Sequence, residues 1–147
     1  MISLVQYLIN ESKKKKEVPY NGFAILKPGF LDIQDNFEQL LEDNDWTISD
    51  VTIVKLPKDA AKELYEPHKE KDFFNDLCDY MSSDKCICYL LYKDCEDPIE
   101  DLKEVKEEAR KKWGKDDMKN CMHSSDSKEN VERESKICMN INYEQDK

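Results

Sequence analysis

A histidine flanked by small polar residues is the part of this sequence best suited to chemistry. His123 follows the apolar pair Cys121-Met122 and precedes residues 124–127, which read Ser-Ser-Asp-Ser. Serine and aspartate cap helices, so the pattern predicts a short strand that ends at the histidine and a helix that follows. A neutral imidazole acts as a nucleophile when a partner holds its second ring nitrogen. Taken alone, a histidine beside a helix cap is more often structural or merely exposed.

The composition limits the partners of such a site. The chain has 147 residues, 39% hydrophobic and 38% charged, with a formal net charge of -10 at pH 7. This length predicts one domain with a real core. Nucleic acids and acidic membranes bind clustered lysine and arginine, so neither is an expected partner, and no apolar run reaches membrane-spanning length. A small phosphate ligand would need a local basic pocket.

The six cysteines fit reduced thiols. No signal-peptide pattern stands at the start of the sequence, and the cysteines lack the paired spacing of a metal site. Cys86 and Cys88 are two positions on one face of a predicted strand. Cys121 shares a strand face with His123, where a small buried side chain is favoured over a redox role. We therefore expect a cytoplasmic protein.

Four predicted strands and the helices between them must position the histidine. Apolar and β-branched runs predict strands at 23–26, 46–56 and 86–92, with a fourth ending near His123. Helical spacing predicts helices at 33–44, 58–65, 72–81, 97–113 and after Ser127. This order predicts a ferredoxin-like α+β sandwich with a four-stranded antiparallel sheet covered by helices. The domain is expected at 20–140, between an N-terminal appendage at 1–19 and a loose tail at 141–147.

Three motifs follow one another around this histidine. Residues 23–28 read Phe-Ala-Ile-Leu-Lys-Pro, residues 64–69 read Leu-Tyr-Glu-Pro-His-Lys, and residues 120–129 read Asn-Cys-Met-His-Ser-Ser-Asp-Ser-Lys-Glu. They resemble the nucleoside diphosphate kinase family, whose first strand ends in Ile-Lys-Pro-Asp. The family also has a Tyr-x-x-His-Lys…Phe-Phe…Tyr-Met segment and the signature Asn-x-x-His-Gly-Ser-Asp-Ser-x-Glu. Three ordered motifs over roughly residues 22 to 139 are far more specific than one short pattern.

The resemblance implies a phosphoryl transfer in two steps. ATP or another nucleoside triphosphate would phosphorylate His123, and a nucleoside diphosphate would then accept the phosphate. Glu134 would hold the other ring nitrogen, and Tyr65 and Ser125 would lie beside the histidine. Magnesium would arrive with the nucleotide, and Asp126 would hold it through water.

The resemblance also implies a nucleotide site. Lys27 and Asn120 would bind the sugar hydroxyl or the phosphates, and Arg110 would clamp phosphates with its planar guanidinium. Phe73 would stack on the base, which permits several bases, while Phe74 is assigned to the core. His68 lies in a charged linker, and we expect a structural role for it.

The segment before Arg110 departs from the family pattern. Family members have an arginine there, followed by a loop that bears glycine, proline and threonine and packs against neighbouring subunits. In this sequence, residues 101–110 instead predict a continuous charged helix. The segment is about a dozen residues shorter than in the family. Lys103 is the expected substitute for the missing arginine, as a point charge without the bidentate fork. A homo-oligomer is expected to be a dimer rather than a hexamer. Ser124 replaces the family glycine, which predicts a cost in backbone conformation.

These departures leave a second hypothesis open. A charged phosphate contact is worth about 1.5–3 kcal/mol, so losing one predicts a kinase slower by roughly ten- to a hundredfold. The alternative is a catalytically weak or inactive nucleotide-binding or structural module in a larger assembly such as a cilium. The N-terminal appendage and the charged helix support that alternative. The active cytoplasmic kinase is the preferred hypothesis.

Overall fold

The computed structural model describes residues 3–6 and 18–139. The strands in this part of the chain are β1 (Gly22–Leu26), β2 (Thr47–Val54), β3 (Cys86–Tyr92) and β4 (Met122–Ser124). The helices within residues 18–139 are α1 (Gln34–Asp43), α2 (Lys58–Leu64), α3 (Phe74–Met81), α4 (Pro98–Trp113) and α5 (Lys128–Met139). The strands form one sheet in the order β2-β3-β1-β4, and each neighbouring pair is antiparallel.

Helices cover both faces of this sheet because its inner strands are apolar on both sides. Every residue of β1 is buried, and so is most of β3. Side chains alternate along a strand, so Ala24 and Leu26 join one hydrophobic cluster while Phe23 and Ile25 join the other. The first cluster contains the buried residues of α1 and α4, and the second contains those of α2, α3 and α5. The predicted ferredoxin-like α+β sandwich is confirmed.

Helix α4 runs without a break where the sequence predicts a continuous helix. The Asp97 carboxylate accepts a hydrogen bond from the backbone N–H of Glu100 at 3.2 Å, and Pro98 occupies the first turn. Basic residues fill the last turn, where they face the negative end of the helix dipole. A buried stripe holds α4 against the sheet and consists of Leu102, Val105 and Ala109. The helix therefore carries Arg110 to the end of the sheet where β4 lies.

The segments outside this domain are only partly described. The predicted tail lies outside the described residues, and so does the predicted appendage apart from residues 3–6 and 18–19. Residues 4–6 are helical, and Leu4 and Val5 are exposed. Across the described ranges, no helix has both the length and the apolar character needed to cross a membrane. All six cysteines carry free thiols, as expected.

Candidate functional site

The pairing of β1 with β4 brings His123 and Lys27 together. Ile25 lies opposite His123, and the backbone N–H of Lys27 donates to the carbonyl of Cys121 at 2.9 Å. Residues directly opposite in an antiparallel pair share a face, so His123 projects to the side that Ile25 occupies, toward α5. Lys27 is two residues beyond Ile25 and leaves the strand on the same side. Two short strands thus place an imidazole beside an amine.

Helix α5 supplies the carboxylate that holds the histidine ring. Nε2 of His123 lies 2.6 Å from Oε1 of Glu134, and Oγ of Ser125 donates to the same oxygen at 2.7 Å. A guanidinium nitrogen of Arg133 lies 3.5 Å from the other carboxylate oxygen. A carboxylate oxygen accepts hydrogen bonds, so this contact favours the tautomer in which Nε2 carries the hydrogen and Nδ1 faces away from the carboxylate. The nitrogen left for chemistry is Nδ1.

Tyr65 completes the immediate surroundings of the imidazole. The Tyr65 and His123 rings meet edge to face with centroids 5.5 Å apart. The tyrosine is buried, and its hydroxyl finds no hydrogen-bond partner in the described part of the chain. Burial raises the pKa of Tyr65 well above its usual value, so its hydroxyl stays protonated and can donate a hydrogen bond to a ligand.

A cavity of about 580 Å³ opens beside the histidine. The predicted site residues that line it with His123 are Lys27, Tyr65, Phe73, Arg110, Asn120 and Asp126. Ser125 and Glu134 stand behind the histidine and contact it or each other. The size suits one small organic ligand.

Three cations converge on this cavity, although the chain as a whole is acidic. Nζ of Lys27 donates to Oδ1 of Asn120 at 2.7 Å and to the Met118 carbonyl at 3.3 Å, and Lys27 is only 4% exposed. Burial, followed by the charges of Arg110 and Lys106, lowers the pKa of Lys27 to about 7. Neighbouring positive charges repel one another, and an anion bound among them reduces this repulsion. The carboxylates of Asp117 and Asp126 also line the cavity, but the cations outnumber them and favour a phosphate-bearing ligand.

Arg110 is anchored to the strand that carries the histidine. One of its terminal nitrogens donates to the Met122 carbonyl at 3.1 Å, while its buried Nε has no partner among the described residues. Buried donors in native proteins are nearly always satisfied, so the unpaired Nε is available to an acceptor in the cavity. The hydroxyl of Tyr65 is available in the same way.

The expectation for Lys103 is corrected by the structure. Lys103 is exposed and does not line the cavity, whereas Lys106 is half-buried and lines it. Lys103 precedes Arg110 by seven residues, about 10 Å along the helix axis, whereas Lys106 precedes it by a single turn. The four-residue spacing of Lys106 and Arg110 was the signal in the sequence that could have identified the closer cation.

The other end of the cavity carries aromatic side chains. Phe73 is 46% exposed and lines the cavity, and the His68 ring lies 6.1 Å from it between centroids. His68 also lines the cavity, where its ring contacts Phe73, and the structural role expected for it stays a prediction. Phe74 is partly buried against the second hydrophobic cluster, as expected. Phe73 is therefore placed to meet a flat ligand group.

The backbone around β4 differs from the expectation for Ser124. Ser124 pairs with Ala24 in β4, and the non-glycine residues with positive φ in the described ranges are Asp45 and Cys121. The predicted conformational cost at Ser124 therefore does not arise. Cys121, with φ of +82°, takes the unusual conformation instead, two residues before the histidine.

Together these features define a ferredoxin-like α+β protein in which a carboxylate-held histidine faces a cationic cavity. The family model described as nucleoside diphosphate kinase matches residues 21–142. A nucleoside diphosphate kinase of Methanothermobacter thermautotrophicus is 32% identical over 130 residues, which cover 79% of this chain and 84% of that protein. The chain belongs to the nucleoside diphosphate kinase family.

Solved structures and a longer relative add to this assignment. The Aquifex aeolicus nucleoside diphosphate kinase aligns with a TM-score of 0.66 and 29% identity over 82% of this chain and 94% of that chain. The Encephalitozoon cuniculi enzyme, at 18% identity, 82% and 89% coverage and a TM-score of 0.64, supports the fold. Thioredoxin domain-containing protein 6 of Xenopus laevis is 27% identical over 134 residues, covering 80% of this chain but 21% of that protein.

Proposed function

We propose that this protein is a nucleoside diphosphate kinase that works through a phosphohistidine on His123. The observation that carries the proposal is the 2.6 Å contact between Nε2 of His123 and Glu134, made at the wall of a cationic cavity. This contact directs the Nδ1 lone pair away from the carboxylate. The substrates are nucleoside triphosphates such as ATP as donors and nucleoside diphosphates as acceptors.

The transfer proceeds by two displacements at phosphorus. The Nδ1 lone pair of His123 attacks the terminal phosphorus, the bond from that phosphorus to the bridging oxygen breaks, and the nucleoside diphosphate leaves with those electrons. The imidazole gains positive charge, which the Glu134 carboxylate stabilises through the Nε2–H. A terminal phosphate oxygen of a second nucleoside diphosphate then attacks the phosphorus of the phosphohistidine, the bond from phosphorus to Nδ1 breaks, and its electrons return to the imidazole.

The remaining polar groups bind the phosphates and the sugar. Lys27 and Arg110 supply positive charge beside the histidine, and Asn120 orients the Lys27 amine through its 2.7 Å hydrogen bond. The unpaired Tyr65 hydroxyl donates toward the transferred group. At the other end of the cavity Phe73 stacks on the base. Stacking contacts only the flat face that every base has, so the site accepts different bases.

Magnesium fits this site only as a companion of the nucleotide. Asp126 lines the cavity, and a hydrogen bond from Asn130 at 2.7 Å lowers its pKa, so its carboxylate is ionised. Within the described ranges no three histidine, cysteine or acidic residues are arranged to hold a metal. Asp126 would therefore hold the ion through water while phosphate oxygens supply the other ligands, and the ion would offset phosphate charge.

Labelling with radioactive ATP and magnesium tests the proposal. The wild-type protein should gain an acid-labile phosphate, and His123→Ala should gain none. His68→Ala is the informative companion, because the chain has two histidines and the label should still map to the peptide that contains His123. A wild-type protein that stays unlabelled would refute the kinase.

A second candidate is a nucleotide-binding or structural module without turnover. The similarity to one part of the longer Thioredoxin domain-containing protein 6 favours it, because such a domain there belongs to a larger chain. Calorimetry with nucleotides separates the cases. Tight binding without a phosphoprotein supports a binding module, and no binding supports a structural part of an assembly such as a cilium.

We further propose a cytoplasmic setting and a homodimer. The free thiols fit a reducing compartment. Strand β2 lies at the sheet edge with Val51 and Ile53 exposed by 44% and 48%, which offers an apolar strand for pairing with a second copy. Light scattering should give a dimer that Val51→Lys dissociates; a monomeric wild-type protein would contradict the dimer.

A further inference from the structure

We propose that Lys106 is a third phosphate-binding cation of this site, beside Lys27 and Arg110, and lets the cavity distinguish nucleoside di- and triphosphates from monophosphates. The inference deepens the proposed function, since it takes the cavity to hold a nucleotide. Lys106 replaces no motif residue and was not among the expected site residues. Its assignment depends on where α4 places it.

The position of Lys106 on α4 is the first argument. It lies one helical turn before Arg110, and both side chains line the cavity beside His123. Arg110 is fixed at the strand by its 3.1 Å hydrogen bond to the Met122 carbonyl. Lys106 and Arg110 therefore place two positive charges about 5 Å apart along one helix, so together they can contact two linked phosphate groups, whereas a monophosphate offers only one.

The lack of a protein counter-ion is the second argument. Lys106 is half-buried, yet it forms no ion pair within the part of the chain that the structure describes. Burial, then the charges of Arg110 and Lys103, lowers its pKa, and the charges of Asp126 and Glu107 only partly oppose this. By contrast, Lys112 on the same helix pairs with Glu108 at 3.8 Å and lies over the Trp113 ring.

The uninterrupted helix α4 explains why a lysine, rather than the family's arginine, binds this phosphate. The resemblance implies that family members carry a loop and an arginine before the residue equivalent to Arg110, and here that stretch is helix. A lysine on a helix has a long, flexible stem that brings a point charge to a phosphate without a bidentate fork. Arg110 remains the group with fixed geometry, and Lys106 adds charge for a phosphate beyond the first.

Binding of AMP and ADP to the full chain, with magnesium present, tests this inference. Lys106→Met should weaken ADP binding by about ten- to a hundredfold, the range for one charged contact, and change AMP binding little. Lys106→Arg should restore most of the ADP affinity. Lys103→Met is the matched control, because Lys103 lies on the same helix but is exposed outside the cavity, and it should bind both ligands like the wild type.

The outcomes separate this inference from the proposed kinase. ADP binding that is unchanged in Lys106→Met, or equally weakened in Lys103→Met, overturns the role of Lys106. A wild-type protein that binds no ADP overturns it as well. Because ADP binding requires no transfer, a Lys106-dependent affinity in a protein that forms no phosphohistidine supports this inference while refuting the kinase.

Discussion

The two sides of the cavity are held in opposite ways. On the side of β4 and α5, His123, Ser125 and Glu134 form a closed group with hydrogen bonds of 2.6 and 2.7 Å. On the side of α4, the Nε of Arg110 has no partner and Lys106 has no ion pair among the described residues. The histidine, serine and glutamate are paired without a ligand, whereas the α4 cations and the Tyr65 hydroxyl beside the histidine keep unpaired donors.

This difference shows how the site divides its work. The reacting imidazole is oriented before any ligand arrives, so little reorganisation is needed when charge develops on it. The cations on α4 repel one another until a polyanion lies between them, so phosphate binding relieves an existing cost. Changes on the histidine side should therefore lower turnover, and changes on the α4 side should lower affinity.

Removing the charge of Glu134 should give the largest effect. Glu134→Gln should lower the rate of phosphohistidine formation by roughly two to four orders of magnitude, because an amide no longer enforces the Nε2–H tautomer or stabilises the imidazolium. Single-turnover quench-flow with labelled ATP measures this rate, and calorimetry should show ADP affinity unchanged. Ser125→Ala, which removes one donor from the same oxygen, should cost about tenfold or less. An equal loss of affinity and rate in Glu134→Gln would contradict the assignment of turnover to the histidine side and of affinity to the α4 side.

The proton on Lys27 should link ADP affinity to pH. The pKa of Lys27 is lowered to about 7, so the free protein loses this charge above pH 7, whereas bound phosphate favours the charged form and raises the pKa. Binding above about pH 7 must then take up a proton, and affinity should fall by up to about tenfold per pH unit until the pKa of the complex is reached.

Calorimetry in buffers of different ionisation enthalpy counts this proton directly. We expect uptake approaching one proton near about pH 8 and none from this group below about pH 6. Lys27→Met should bind more weakly and should lose the uptake. Uptake that persists in Lys27→Met would assign the proton to another group.

Gly114 tests the α4 side of the cavity through the packing of the helix end rather than through charge. A Cβ at this position would lie 2.5 Å from the Arg110 carbonyl oxygen and 3.4 Å from Cα of Asn120. Gly114→Ala should therefore displace the end of α4, lower the free energy of unfolding by about 1–3 kcal/mol and weaken ADP binding severalfold. Lys111→Ala, an exposed change one turn earlier, should stay within about 0.5 kcal/mol in urea unfolding. Equal stability of the two variants would show that the helix end accommodates the methyl group.

The sequence contained most of the fold and the histidine side of the site. Buried strands such as β3 are continuous apolar runs, and the helix caps at Asp97 and near Ser127 are short-range signals. His123 could be predicted because it belongs to a motif, and Glu134 because the family resemblance implies a glutamate at that place in the last helix. These features depend on neighbours that are close in sequence.

The α4 side was less predictable because it depends on distances between elements. Lys103 and Lys106 are both lysines of the predicted helix. The four-residue spacing to Arg110 favours Lys106, but the docking of α4 on the sheet decides which of them lines the cavity. His68 reaches the cavity because the linker after α2 folds back toward Phe73. The positive φ of Cys121 has no residue-type signal, since most residues other than glycine avoid it.

The transfer of phosphate from the protein to a second nucleotide tests the central claim most directly. Wild-type protein labelled with ATP is freed of nucleotide and then mixed with GDP or CDP and magnesium. We predict that the label leaves His123 and appears as GTP or CTP with either acceptor. Label that stays on the protein, or that is released only as inorganic phosphate, would contradict a nucleoside diphosphate kinase.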